Sequence, residues 1–217
     1  MSKSERLPHI ETQRQYFNKL ADIFLAPIPE DIQERTRNIV QAVSLSPEAR
    51  VVDVGCGVGV IIGHLIEAGL KPSNIVGCDL SEQMIARARA KFPGVFFWQG
   101  DIADFPEVGK DALPNHLLSF ESVFFNGCFG NMWNQDEAVS AAVCLLGEEG
   151  RIVISHPLGS AFVEALHESE PHIVPHRLPN MKTLESWCLR HNLRIDHFED
   201  RPKYYLALLS KEPNKER

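Results

Sequence analysis

The chain has 217 residues, of which 44% are hydrophobic and 24% charged, a balance typical of globular proteins and not of disordered or fibrous ones. The formal net charge of −7 and the lack of a dense run of Lys and Arg argue against a nucleic-acid partner. The N-terminal segment lacks the apolar core of a secretory signal, and no membrane span is predicted. The cysteines are scattered and never form CxxC. We therefore expect the protein in the cytoplasm or another reducing compartment, which includes an organelle that it reaches in processed form.

Two helices are predicted before the first strand. The first carries apolar and aromatic residues at helical spacing: Tyr16, Phe17, Leu20, Ile23 and Phe24. The second follows Glu30. Residues 1–48 are therefore expected to be a helical extension of one domain that covers the whole chain.

After residue 50, short β-branched or aromatic runs alternate with helical patterns, which favours βαβ units around a mainly parallel sheet. The predicted class is α/β. Five strands are predicted at Val51–Val54, Asn74–Asp79, Val95–Gln99, Ser122–Asn126 and Arg151–Ser155. Residues 103–119 and 169–180 contain prolines and are predicted to be loops.

Helices are predicted from Ser81 to about Lys91, from Trp133 to Leu146 with Gly147 as the C′ residue, and near Asn180–His191. The last two strands, Leu193–Phe198 and Tyr204–Ser210, are separated only by EDRPK. They must pair antiparallel, because a parallel return needs a longer crossover.

The first predicted strand runs directly into a glycine-rich loop, Gly55-Cys56-Gly57-Val58-Gly59, which precedes a helix. Glycines allow positive φ and remove Cβ atoms that would collide with a nucleoside, and a helix N-terminus offers N–H groups. Taken alone, the pattern fits a tight turn without a ligand equally well. The spacing departs from the GxGxxG of NAD-binding loops, since Ile62 holds the third glycine position.

Acidic residues follow the next two strands. Asp79 ends the second strand about 20 residues after Gly59, where a carboxylate can accept hydrogen bonds from both hydroxyls of a ribose. Asp101, in the segment WQGDI, follows the third strand and could accept a hydrogen bond from an adenine amino group. Three consecutive strand ends therefore converge on one nucleoside site.

This constellation resembles the class I methyltransferases that depend on S-adenosylmethionine (SAM), over about Val51–Ser155. VVDVGCGVG is similar to their first motif, GCDLSEQMIARAR to their second and GDI to their adenine-side motif. The resemblance implies a Rossmann-like seven-stranded sheet in the order 3-2-1-4-5-7-6, with strand 7 antiparallel and helices on both faces. The branch of ubiquinone and menaquinone C-methyltransferases is the most similar, and it shares the aromatic helix ahead of the domain.

The resemblance also implies SAM as the cofactor and assigns residues to it. Asp53 would support the glycine loop and the methionine end, and Asp79 would hold the ribose. Leu80 and Met84 would flank the adenine. The remaining cofactor residues are Gly55, Cys56, Gly57, Gly59, Asp101, Ile102 and Asn126. Two features depart from the family: Phe120-Glu121-Ser122 leaves the acidic position near strand 4 uncertain, and the NPPY or DPPY motif of amino-group methylation is absent.

The expected acceptor is a small molecule that receives the methyl group by in-line transfer. Phe129 and Trp133, after strand 4, are predicted to contact it, as are Tyr16 and Phe17 on a helix that would close as a lid. His156, after strand 5, is a candidate general base. The alternative is a histidine that hydrogen-bonds the backbone near Pro157.

Cys128 could serve thiol chemistry or act as a small hydrophobe, and the second interpretation is favoured. His172 and His176 have a metal-like spacing, but Pro171 and Pro175 break the helix that would align them, so no metal is expected. A SAM-binding regulatory protein without turnover is the alternative function. Aminopropyl transfer would need extra acids where NGC stands at residues 126–128.

Overall fold

The computed structural model describes residues 3–109 and 113–212 of the chain. Within these ranges seven strands form one sheet: β1 Val51–Val54, β2 Ile75–Asp79, β3 Phe96–Gln99, β4 Phe120–Asn126, β5 Leu146–His156, β6 Leu193–Arg201 and β7 Tyr204–Lys211. Their order is β3-β2-β1-β4-β5-β7-β6. Strands β1 to β5 run parallel, and β7 pairs antiparallel with both β5 and β6. The predicted sheet order and the antiparallel closing pair are confirmed.

The described residues also form seven α-helices: α1 Lys3–Leu20, α2 Glu30–Val43, α3 Val60–Glu67, α4 Glu82–Lys91, α5 Gln135–Leu145, α6 Ser160–Ser169 and α7 Met181–His191. Helices α2, α3 and α4 pack on one face of the sheet, and α5 and α7 pack on the other. Strand β4 supplies side chains to both layers, because successive residues of a strand point to opposite faces. Phe124 lies in the first layer and Phe125 in the second, and both are fully buried.

Local capping explains where two predicted helices begin. The Ser81 side chain accepts a hydrogen bond from the Met84 N–H, and the Asn180 side chain accepts one from Thr183. Such N-caps satisfy amide groups that have no partner inside the helix. The predictions of α4 and α7 are confirmed.

Helix α5 departs from its predicted bounds at both ends. It begins at Gln135, after the N-cap Asn134, and ends at Leu145. The prediction of Gly147 as a helix C′ residue was wrong, because Leu146 pairs with Phe120 and the chain enters β5 at once. Tertiary strand pairing here overrides the local glycine signal.

Short helical turns occupy part of the region predicted as loop: Ile102–Asp104, Phe105–Gly109 and Asn115–Leu117. Residues 110–112 of that region lie outside the described residues. Helix α6 was not predicted. The first helix is shorter than its apolar spacing predicts, because it ends at Leu20. Ile23 and Phe24 lie in a separate 3-10 turn and are exposed, so they are not part of a buried helix face.

Candidate cofactor and acceptor site

The glycine loop joins β1 to α3 at the carboxyl edge of the sheet. Gly55, Gly57 and Gly59 all have positive φ, at +62°, +53° and +86°. A Cβ at Gly55 would lie 2.6 Å from the Cβ of Cys128, and one at Gly59 would lie 2.5 Å from the Phe92 ring. A Cβ at Gly57 would have only the Met84 Sδ within reach, at 4.0 Å. Gly57 therefore leaves open space above the backbone, whereas the other two glycines serve protein packing.

Asp79 ties the end of β2 to this loop. One carboxylate oxygen accepts a hydrogen bond from the Gly57 N–H at 2.9 Å, and the other accepts one from the Ser81 N–H at 2.8 Å. Burial raises the pKa of Asp79, and the backbone donors oppose that rise. The carboxylate thus lies beside the most open part of the loop, with lone pairs that can still accept hydrogen bonds.

Asp53 is the buried acid of β1. It is 2% exposed, and its Oδ2 has no hydrogen-bond partner. Desolvation raises the pKa of Asp53 well above its ordinary range, and the nearby charge of Asp79 adds to the effect. A buried oxygen without a partner is costly, so this position is suited to a donor or cation supplied by a ligand.

Asp101 follows β3 and connects the site to the N-terminal helix. Its Oδ1 accepts a hydrogen bond from the Ala103 N–H at 3.0 Å. Its Oδ2 accepts one from Arg6 at 2.9 Å, and the same guanidinium lies 2.9 Å from Asp104. Ile102 is buried in the core, so its side chain supports this turn from below.

The three cysteines nearest the loop are Cys56, Cys78 and Cys128. Burial raises the pKa of each thiol well above its ordinary range. The Cys128 Sγ–H donates to the Val54 carbonyl at 3.0 Å. Cys128 is half-buried, and a protonated thiol that donates to a backbone carbonyl packs as a small hydrophobe, which supports that interpretation over thiol chemistry.

Strands β4 and β5 end together beside the loop. The Ser155 hydroxyl donates to Asn126 Oδ1 at 3.0 Å, and the Gly127 N–H donates to the Ser155 carbonyl at 2.9 Å. The segments that follow these strands therefore start from fixed positions at the same edge of the sheet.

His156 is buried at the end of β5, with 7% exposure. Its Nδ1 accepts a hydrogen bond from the Leu158 N–H at 3.1 Å, and its ring lies 5.4 Å from the Phe162 ring. Burial lowers the pKa of His156 to about 4, so the imidazole is neutral and a weak base near pH 7. The geometry favours the alternative given for this residue, a histidine bound to the backbone beside Pro157.

Phe129, predicted to contact the acceptor, is buried in this structure. It is 1% exposed, and its ring packs against Phe125 at 5.0 Å and Trp187 at 5.8 Å. The reason is the 3-10 turn Phe129–Asn131, which carries the ring into the hydrophobic layer below the sheet edge. Trp133 is also buried. Unlike Phe129, it contacts helix α1, because its ring lies 5.4 Å from the His9 ring.

Helix α1 places Tyr16 and Phe17 on different neighbours. Phe17 packs with Val58 of the glycine loop and with Met84. Tyr16 packs with a separate cluster around Val163 and Ile173. The structure thus brings Phe17 to the predicted cofactor residues, whereas Tyr16 faces the segments that follow β4 and β5.

Comparison with known proteins agrees with this geometry. Residues 45–209 match a family model described as a methyltransferase domain. The chain belongs to the class I SAM-dependent methyltransferases. The resemblance inferred from the motifs is confirmed.

Relatives of this methyltransferase cover only part of it. A trans-aconitate 2-methyltransferase of Methylobacterium nodulans is 40% identical over 98 residues, which are 43% of this chain and 38% of that protein. A ubiquinone/menaquinone biosynthesis C-methyltransferase of Campylobacter jejuni is 28% identical over 119 residues, 53% of this chain and 47% of that protein. The chain thus spans less than half the length of these relatives.

A solved structure shows the same fold over nearly the whole chain. Magnesium protoporphyrin IX methyltransferase from Synechocystis, with bound S-adenosylhomocysteine (SAH), superposes with a TM-score of 0.66. The match covers 94% of this chain and 100% of that one, at 17% identity.

The methyltransferase site fits SAM on observations from this chain. The space above Gly57 is open, Asp79 and Asp101 stand at neighbouring strand ends, and a buried oxygen of Asp53 has no partner. In the part of the chain that the structure describes, no cluster of His, Cys, Asp or Glu is suited to a metal ion. No helix among the same residues is long and apolar enough to cross a membrane.

Sequence reasoning missed the polar residues of α1. Arg6 bonds Asp101, His9 Nε2 lies 3.0 Å from the Asn131 carbonyl, and Gln13 is buried against Ile173. The available signal was their spacing: Arg6, Gln13 and Phe17 are seven and four residues apart, which places them on one face of a helix. A polar residue on the buried face of a helix indicates a polar partner in the segment against which that face packs.

Proposed function

We propose that this protein transfers the methyl group of SAM to a small-molecule acceptor that binds between α1 and the segments following β4 and β5. The observation that carries the proposal is the meeting of the open Gly57 backbone, Asp79 and Asp101 at one sheet edge, directly beside α1. Ligands of open α/β folds bind at this edge, where the strand order reverses between β1 and β4.

In this proposal the cofactor is held by residues of four strand ends. Asp79 would accept hydrogen bonds from the ribose, Asp101 from the adenine amino group, and Asp53 would stabilise the loop and the methionine end. Gly55, Cys56, Gly57, Gly59 and Asn126 would line the site, with Leu80, Met84 and Ile102 around the adenine. Bound SAM supplies a methyl group on a positively charged sulfur.

Residues 1–48 would be an extension of a single domain, and α1 would be its lid. One side of α1 is anchored near the cofactor residues: Asn18 accepts a hydrogen bond from the Ser81 hydroxyl and donates to Glu82. The other side is anchored by His9 to the Asn131 carbonyl. A helix fixed on both sides of a cleft can exclude water and align two reactants.

The acceptor would need little acid–base assistance from the protein. His156 is buried and neutral, and a histidine whose pKa is about 4 removes a proton poorly near pH 7. We therefore leave His156 out of the chemistry. A nucleophilic atom of the acceptor would attack the methyl carbon as the carbon–sulfur bond breaks, and any proton released would pass to solvent.

A small molecule is favoured over a macromolecular acceptor. The net charge is −7, which opposes binding of nucleic acid. The two partial relatives are named for a small carboxylic acid and for quinone biosynthesis. A reducing, cytosol-like compartment is part of the same proposal, and it is supported by cysteines that are scattered and never paired as CxxC.

Calorimetric titration with SAH tests the cofactor half of the proposal. Asp101→Asn and Asp104→Asn form a matched pair, because each removes one carboxylate partner of Arg6. We expect Asp101→Asn to weaken SAH binding by about tenfold or more and Asp104→Asn to leave it near the wild-type value. Equal affinities for the two variants would remove Asp101 from the adenine site.

Turnover separates the enzyme from a SAM-binding regulator. The wild-type protein is incubated with SAM and the low-molecular-mass fraction of a bacterial extract, and SAH formation is followed by chromatography. We expect SAH to accumulate only when the fraction is present. Tight SAH binding without any such turnover would favour the regulatory alternative.

A further inference from the structure

Gln13 lies at the middle of the inward face of α1. It is 2% exposed. Arg6, two turns earlier, reaches Asp101, and Phe17, one turn later, packs on Val58 and Met84. Gln13 therefore lies between these two contacts along α1, although its own hydrogen bond goes to a different segment, at Ile173.

The amide of Gln13 is held in one orientation. Its Nε2 donates to the Ile173 carbonyl at 2.6 Å. The Asn131 side-chain amide donates to the same carbonyl at 2.9 Å. Rotating the Gln13 amide by half a turn would bring two oxygens together, so the hydrogen-bond network fixes Nε2 on Ile173.

The fixed amide leaves its oxygen without a partner. Gln13 Oε1 is buried and accepts no hydrogen bond. Buried polar atoms almost always have partners, and those without one are penalised relative to water. A glutamine that only anchored α1 would gain nothing from this oxygen, whereas a ligand donor would satisfy it.

The position of the amide points to the acceptor and not to the cofactor. In the proposed function the three acids Asp53, Asp79 and Asp101 are already assigned to the methionine end, the ribose and the adenine amino group of the cofactor. Gln13 is instead bonded to the segment after α6, through Ile173, and it shares that carbonyl with Asn131 of the turn after β4. These are the segments on the side of the site where the proposed function places the acceptor.

We propose that Gln13 Oε1 accepts a hydrogen bond from an O–H or N–H group of the methyl acceptor, so that the acceptor is a hydroxyl or amino compound. This inference rests on the proposed function. A neutral carbonyl oxygen attracts such donors and repels ionised carboxylates, which carry only lone pairs. Gln13 would be a specificity-determining residue, and it moves no proton.

The test compares Gln13→Met with Gln15→Met. The two residues lie two positions apart on α1, and Gln15 is exposed and donates to Glu11 of the same helix. Methionine keeps the length of the side chain and removes the amide. Asn131 still satisfies the Ile173 carbonyl in Gln13→Met, so the ligand-free variant should melt no more than a few degrees below the wild type.

The probes are catechol, histamine and trans-aconitate, assayed with SAM, together with the low-molecular-mass extract fraction. We expect the wild type to methylate a hydroxyl or amino probe, or a component of the extract fraction that itself carries a hydroxyl or amino group. For that acceptor, Gln13→Met should raise KM by about 10- to 100-fold. SAH affinity should be unchanged in Gln13→Met, and Gln15→Met should match the wild type throughout.

A second variant protects the test against a folding defect. In Gln13→Glu a protonated carboxyl can donate to Ile173 and still accept from the ligand. Its KM should stay near the wild-type value at low pH and rise as the carboxyl ionises, a pH dependence absent from the wild type.

Three results would overturn the proposal. The first is an unchanged KM in Gln13→Met, and the second is a loss of SAH affinity equal to the rise in KM, which would place Gln13 on the cofactor. The third is trans-aconitate as the preferred probe. A wild-type protein that binds SAH but methylates neither the probes nor the fraction would overturn the proposed function as well, and that result is read from the wild type alone.

Discussion

The proposed cofactor side and the proposed acceptor side of this site are built in different ways. On the cofactor side, side chains stand directly at strand ends, and Asp79 bonds the backbone of Gly57 across two adjacent strands. On the acceptor side, α1 meets turns that lie far away in the chain: His9 reaches Asn131 across 122 residues, and Gln13 reaches Ile173 across 160. The first side is encoded by short motifs, and the second depends on tertiary docking.

The contrast teaches which parts can vary independently. Strand ends are fixed by the sheet register, so a nucleoside site built on them changes little when surface segments change. A site assembled by docking a helix onto turns can be altered by substitutions in any of its parts. We therefore expect lesions on the cofactor side to abolish binding and lesions on the acceptor side to alter selectivity and rate.

The largest effect is expected from Gly57→Val. The new side chain would enter the open space above the loop, and its positive φ of +53° would add backbone strain of about 1–2 kcal/mol. We expect SAH binding to fall below detection in calorimetry. Gly69→Val is the matched control, since Gly69 has a φ of +100° and open space but lies in the turn after α3.

The Gly69→Val protein should lose similar stability and keep its SAH affinity. If both variants bind SAH like the wild type, the argument that the cofactor approaches the Gly57 backbone is wrong.

Removal of residues 1–27 tests the acceptor side as a whole. The deletion takes away α1 and its contacts with Asn131, Ile173 and Val58. We expect turnover to fall by about 10² or more, because alignment and exclusion of water are lost, while SAH affinity falls less. Leu7→Ala, on the exposed face of α1, should leave turnover unchanged. A truncated protein with wild-type turnover would exclude a lid role for α1.

Asp79→Ala is expected to have the next largest effect. Loss of hydrogen bonds to a charged acceptor should weaken SAM binding by about 1.5–3 kcal/mol. The thermal stability should fall moderately, because the N–H groups of Gly57 and Ser81 lose their carboxylate acceptor. Calorimetry on a folded variant with unchanged affinity would exclude the ribose role.

The features that short motifs determine can be predicted from the sequence, whereas those that depend on tertiary docking cannot. The sequence predicts the positions of Asp79 and Asp101 at strand ends and the cap at Ser81, because strand periodicity, glycine spacing and capping act over a few residues. The sequence does not predict that Phe129 is buried against Trp187 or that Gln13 Oε1 has no hydrogen-bond partner. Each depends on segments that meet only in the folded protein. Gly147 was misread for the same reason, since pairing of Leu146 with Phe120 is not visible locally.

The smallest effect is expected from His156→Asn, which keeps an acceptor for the Leu158 N–H. Burial lowers the pKa of His156 to about 4 from an ordinary value of 6.5. Between these values the unfolded chain binds more protons than the folded protein, so the wild-type stability contains a contribution that grows with pH. Chemical denaturation at several pH values should show that contribution reduced in the variant, and the turnover rate near pH 8 should stay within about threefold of the wild type.

His116→Asn, at an exposed position, serves as the control for this pH series. A fall in turnover of a hundredfold in His156→Asn, with stability unchanged, would restore the general-base interpretation.

The close approach of Gly55 to Cys128 has a practical consequence for re-engineering the enzyme. A Cβ at Gly55 would lie 2.6 Å from the Cys128 Cβ, so the turn that follows β4 packs directly on the glycine loop. Grafting that turn from another methyltransferase would succeed only if the donor turn brings a small residue to position 128. Chimeras with a bulky residue there would push the two loops apart and lose cofactor binding before any new acceptor could be selected. Loop exchange in this scaffold is therefore best limited to residues beyond Cys128.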